Sequence, residues 1–135
     1  MPGWHDACME TISPNDIFID AMKMDFHELV KELNENVGAT VVQTMAGVKD
    51  RTSPYKWAKP DGPVPDRSEV IARVRLGYRV WRTIEHSQGP SVALAWLMGS
   101  NPRLNEELPV LYIQRQFGQE VLGAAEAFVH DIYAA

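Results

Sequence analysis

Histidine and cysteine are the side chains readiest to hold a transition metal or to attack a substrate near neutral pH. This sequence uses them sparingly, with four histidines and one cysteine in 135 residues. His5 and Cys8 have the i, i+3 spacing of a metal pair. A closed zinc site takes about four ligands, however, and no second pair follows them. His27, His86 and His130 are scattered. There is no Gly-x-Ser-x-Gly elbow, no phosphate-binding glycine loop and no His-Glu-x-x-His helix. Carboxylates are plentiful, but no sequence pattern sets one in an apolar pocket that would raise its pKa. The residue types therefore predict no enzyme, no metal site and no cofactor.

What remains is the chemistry of charge. The formal net charge of −5 conceals an asymmetry. From Lys49 to Arg82 nine basic residues face only Asp50, Asp61, Asp66 and Glu69, so the middle of the chain is positive and the rest strongly acidic. A sign contrast of this kind predicts two different partners, or a solvated helix face that simply carries arginines.

The positive segment needs a scaffold, and the flanking pattern supplies a helical one. Residues 1 to 15 read as an arm broken by Pro2, Gly3, Ser13, Pro14 and Asn15, followed by a short helix over Asp16–Met24. Asp25 is an N-cap for a helix over Phe26–Asn36, with Phe26, Leu29, Val30, Leu33 and Val37 as its apolar stripe and Gly38 as its stop. A short helix over Ala39–Met45, a turn at Gly47 and a second helix opening at Thr52-Ser53-Pro54, with Trp57 as its packing contact, have the order of a helix-turn-helix. The second helix carries Pro54 and no Gln or Asn to read adenine edges, which favours phosphate contact over base reading. Asp61–Asp66 is a Pro-rich connector.

Beyond it, the longest helix runs from Arg67 or Ser68 to about Ser87. Val70, Ile71, Val74, Tyr78, Trp81 and Ile84 form its stripe, and Gly77 permits close approach of another helix. Arg75, Arg79 and Arg82 share another face. They extend a DNA-backbone surface, grip an acidic partner, or are solvated charge. Leu94, Ala95, Trp96, Leu97 and Met98 read as a buried helix, with Trp96 in the core beside Leu97, Leu104 and Leu111. Gly99-Ser100-Asn101-Pro102 breaks it, and Pro109 opens another helix, through Phe117, which Gly118 ends. The last helix, Gln119 to about Tyr133, has Val121, Leu122, Ala125, Phe128, Val129 and Ile132 inward. Alanines 124, 125 and 127 make it slim enough to pack across a homodimer. No hairpin signal appears, so the chain reads as all-α.

The order Ala-Trp-Leu, Asn-Pro-x-Leu, Leu-Pro and a later Gly, carried by Trp96, Leu97, Asn101, Pro102, Leu104, Pro109, Gly118 and Val121, resembles the toxin-binding domain of the MbcA/ParS/Xre antitoxins. The Gly47-Val48 turn before a helix ending in Trp57 resembles the Xre-like helix-turn-helix of the same family. The resemblance spans about residues 26 to 135. After the N-terminal arm and short helix (1–24), it implies a helix-turn-helix-like DNA-binding part (25–65) and a small helical toxin-binding part (66–135). It further implies an antitoxin that occludes a RES-type, NAD-degrading toxin and binds its own operator DNA. A stand-alone helix-turn-helix regulator is the alternative. By this resemblance Lys49, Arg51, Thr52, Ser53, Tyr55 and Lys56 face DNA. Asn101, Arg103, Glu120, Glu126, Tyr133 and Ala135 become the toxin-facing set. The single cysteine, the absence of an apolar leader and the lack of a long apolar run predict a cytoplasmic protein without a membrane span.

Overall fold

The computed structural model describes residues 12–134. Among them are eight α-helices and one 3-10 turn: α1 Pro14–Lys23, α2 Phe26–Asn36, α3 Ala39–Ala46, α4 Ser53–Trp57, α5 Ser68–Gln88, α6 Pro90–Met98, the 3-10 turn Pro102–Leu104, α7 Pro109–Gln114 and α8 Gly118–Ala134. The described residues form no strand, and the fold is all-α. No helix among them is long and apolar enough to cross a membrane. The His5–Cys8 pair and Ala135 lie outside the described residues.

The long helix α5 is the spine. Its period-3.6 stripe of Val70, Val74, Tyr78, Trp81 and Ile84 is buried, and Val80 widens that face. It packs against α1, α3, α6 and α8. Gly77 lies where α3 crosses, and a Cβ there would collide with the Met45 thioether. The connector at Asp61–Asp66 is an irregular loop, and buried residues on both sides of it join one core.

Local chemistry sets most helix ends. The sequence places Ser13 in a broken arm, yet its hydroxyl accepts from Asp16 N (3.1 Å) and caps α1, with Pro14 at the first position. The supposed breakers thus start a helix. Asp25 caps α2 by accepting from Glu28 N at 3.2 Å. Gly47 ends α3 with φ of 72°, the left-handed region that glycine enters without strain. α7 stops at Gln114, three residues before the expected Phe117. Gln116 turns left-handed (φ 60°) and Phe117 N donates back to Tyr112 O at 2.9 Å, closing the helix early.

The expectation that α6 is buried all round is corrected. Ala93 and Leu97 are buried, whereas Val92 is 37% and Met98 42% exposed, and Ala95 also faces outward. Trp96 is not in the core. It is half-buried, with its ring 6.3 Å from that of Phe128 on α8, while Leu97 and Leu104 are fully buried. A helix that is apolar around its whole circumference has no periodic signal to say which side turns inward.

Candidate functional site

Helix α4 is five residues, a little over one turn, so it presents only a first turn to any ligand. What holds it is α2. Trp57 is buried with its ring 6.0 Å from Phe26. His27 Nδ1 donates to Trp57 O at 2.7 Å, and Asn34 Nδ2 to Pro54 O at 3.0 Å. Buried Pro54 and Trp57 force the intervening Tyr55 and Lys56 outward, and Tyr55 is 61% exposed.

The six residues expected to face DNA are thereby brought to one turn, but they are not equally free. Lys49 and Arg51 are exposed and pair with no carboxylate among the described residues. Thr52 is committed. Its hydroxyl and its N–H both donate to Asp50 Oδ1, at 2.7 and 2.9 Å. Lys56 Nζ lies 3.7 Å from Asp50 Oδ2. The Thr52 hydroxyl, then its N–H and more weakly Lys56, hold the Asp50 carboxyl below its usual pKa. A stable carboxylate inside the cluster cancels part of its positive potential. Ser53, half-buried at the head of α4, completes the set.

The arginine face of α5 has a different fate from all three readings of its sequence. Arg75 Nη1 donates to Ala21 O (2.7 Å) and Met24 O (2.9 Å), and its guanidinium lies over the Phe26 ring at 5.8 Å. Arg79 stacks on Phe18 at 4.6 Å. Burial pushes the Arg79 pKa down, and the Glu126 carboxylate opposes that shift. Arg82 pairs with Glu85 at 2.6 Å. Two of these three arginines are thus fasteners for α1. Beside them lies a cleft of about 510 Å³ that includes Glu32, Tyr78 and Arg82. Burial raises the Glu32 pKa, and Tyr78 OH donates to its Oε1 at 3.3 Å.

The set expected to face a toxin is spread over two elements. Asn101 Oδ1 accepts from Arg103 N (2.9 Å) and so caps the 3-10 turn, while its backbone bridges Glu107. That side chain holds a turn. Arg103, Glu120 and Glu126 are exposed, and Arg103 lies 3.9 Å from Asp131 Oδ2 of α8. Tyr133 lies within the bounds of α8, but its side chain is beyond the described set. Ala124 and Ala125, expected at a dimer contact, are buried within the chain itself. No group of three or more His, Cys, Asp or Glu residues among those described is close enough to hold a metal ion.

Sequence reasoning missed the outward apolar face of α6. Its signal was the all-apolar run from Val92 to Met98, longer than one buried face needs. No family model matches the chain, and no curated protein or solved structure does so either.

Proposed function

We propose that this chain is a non-enzymatic antitoxin whose second half docks on a RES-type toxin and whose Lys49–Lys56 turn contacts operator DNA. The observation that carries the reading is the exposed apolar strip Val92, Ala95 and Met98, flanked by the half-buried Trp96–Phe128 pair. It lies in the stretch that resembles the toxin-binding domain. Apolar side chains left in water on an otherwise well-cored small protein mark a surface that another protein covers. Exposed Glu120 and Glu126 on α8 would add charge steering to that encounter. Neutralisation then proceeds by occlusion, with no chemistry supplied by this chain.

The test is growth of cells co-expressing the protein with a RES-type toxin encoded beside it. Wild type restores growth, and Val92→Glu with Met98→Glu abolishes rescue while the purified variant keeps its helical circular dichroism and its DNA affinity. Failure of wild type to rescue or to co-purify with the toxin refutes the antitoxin reading. The alternative, a stand-alone DNA-binding regulator, rests on Lys49 and Arg51, two exposed cations of the turn that have no carboxylate partner among the described residues. It survives that failure if duplex DNA is still bound.

A further inference from the structure

Behind the turn, a cleft of about 560 Å³ opens between the end of α3, the first half of α5 and the end of α7. Its lining includes Lys49, Arg73 and Arg115, with Gln43, Gly47 and Gln114 between them, and no carboxylate. None of the three cations is near the others in sequence. Arg73 comes from the spine, and Arg115 follows the end of α7, which the sequence gives no reason to associate with the turn.

A helix C-terminus ordinarily repels an anion, because its last carbonyls are unpaired and carry the negative end of the helix dipole. Here two of those carbonyls are masked. Arg73 Nη1 donates to Ala46 O at 3.2 Å, and Gln114 Nε2 to Thr44 O at 2.8 Å. Gln43 Nε2 donates to Val48 O (3.2 Å) and Lys49 O (3.1 Å), which fixes the loop bearing Lys49. Gly47 completes the wall. A Cβ there would lie 3.2 Å from Arg73 Nη1 and 3.3 Å from Gln114 Cγ, so glycine leaves the guanidinium its place.

Two of the three cations of this cleft, Lys49 and Arg73, have no carboxylate against them among the described residues, and Arg73 Nε is buried with no hydrogen-bond partner. Arg115 shares its guanidinium with Glu107 at 3.0 Å, outside the lining. Arginines that only cap and pack elsewhere in the chain have an aromatic ring or a carboxylate against them, as Arg75, Arg79 and Arg82 do. An oxygen-rich anion is the chemistry that suits a cleft lined by Lys49 and Arg73, with Arg115, shared with Glu107, as a third cation at its wall.

We propose that this cleft binds a phosphate group, presented either by a free phosphate ester or by the backbone of nucleic acid lying across the adjoining turn. The site stands without the toxin reading; only the second source rests on DNA binding.

The experiment titrates the isotope-labelled full chain with inorganic phosphate, followed by amide NMR at constant ionic strength, with chloride as the control. Saturable shifts at Gly47, Val48, Lys49 and Arg115 at roughly millimolar phosphate are expected, with none of that pattern for chloride. Lys49→Gln with Arg115→Gln, both exposed, weakens binding by about ten-fold or more. Arg73→Gln, which removes the charge, does the same if its circular dichroism is unchanged. Absence of saturable shifts, identical shifts with chloride, or full affinity in the double variant overturns the proposal. A duplex oligonucleotide that competes with phosphate for the same amides identifies the backbone as source. Phosphate binding that persists without any duplex binding identifies a free ester, and it defeats the DNA-binding reading while leaving the site intact.

Discussion

Two stretches of this chain carry almost the same basic residues and put them to opposite uses. On the turn before α4, Lys49 and Arg51 stand in solvent, and Lys56 has only an exposed partner. On α5, Arg75 and Arg79 spread over Phe26 and Phe18, and Arg75 closes the C-terminal carbonyls of α1. The difference comes from what lies opposite. The turn is short, and its two apolar residues, Pro54 and Trp57, go inward, so its cations have nowhere to lie but out. The arginines of α5 meet a second amphipathic helix whose aromatic ring and unpaired carbonyls are suited to a long stem with a planar, donor-rich head. Positive charge written in a sequence is thus not the same quantity as positive charge on a surface.

The largest effect that would break this contrast is on stability. Arg75→Ala removes two charge-assisted hydrogen bonds and is expected to cost about 2–3 kcal/mol in urea unfolding. Arg51→Ala should stay within about 0.5 kcal/mol of wild type. Equal effects of the two substitutions would erase the distinction.

Next comes DNA. Replacing Lys49, Arg51 and Lys56 together by Ala should reduce the slope of log affinity against log salt by about 0.9 for each phosphate no longer neutralised. Melting should hardly change. Arg75→Lys, in contrast, should leave the salt slope alone. If wild type shows no salt-dependent shift of upstream DNA, the turn is a solvated face.

The smallest effects are titrations, and they run in opposite directions. Burial, then the Glu32 carboxylate, pushes the Tyr78 phenol up to about 12 from its usual 10. A folded-state pKa raised in this way gives stability that is full below pH 10 and is lost as pH rises through about 12. The Asp50 carboxyl is depressed, so its contribution is present above its usual 3.8 and is lost as pH falls through the lower folded value. Phenolate absorbance and carboxyl NMR read the two midpoints separately. A Tyr78 midpoint near 10 would contradict its burial beside the Glu32 carboxylate, and an Asp50 midpoint at or above 3.8 would contradict its hydrogen bonds from Thr52.

Much of the local structure was legible in the sequence. Asp25, Gly38, Gly47 and Pro109 mark helix ends because capping and allowed φ depend on neighbours within a few residues. The α5 stripe was legible for a similar reason, since a single buried face imposes its period on the side chains that fill it. The all-α class follows from these signals, as does the place of Lys49 and Arg51 on a turn. Tertiary structure alone decided the rest. Nothing near Arg75 in the chain reveals that the carbonyls of Ala21 and Met24 lie beside it, more than fifty residues away. Nothing near Trp96 says that Ala93 and Leu97 would take the inward side of α6 instead. Arg73 and Arg115 join Lys49 around one cleft only because α5 and α7 pack on the end of α3. Caps and periods are local properties of a chain, whereas the partner of a long charged side chain is set by whichever distant surface folding brings within its reach.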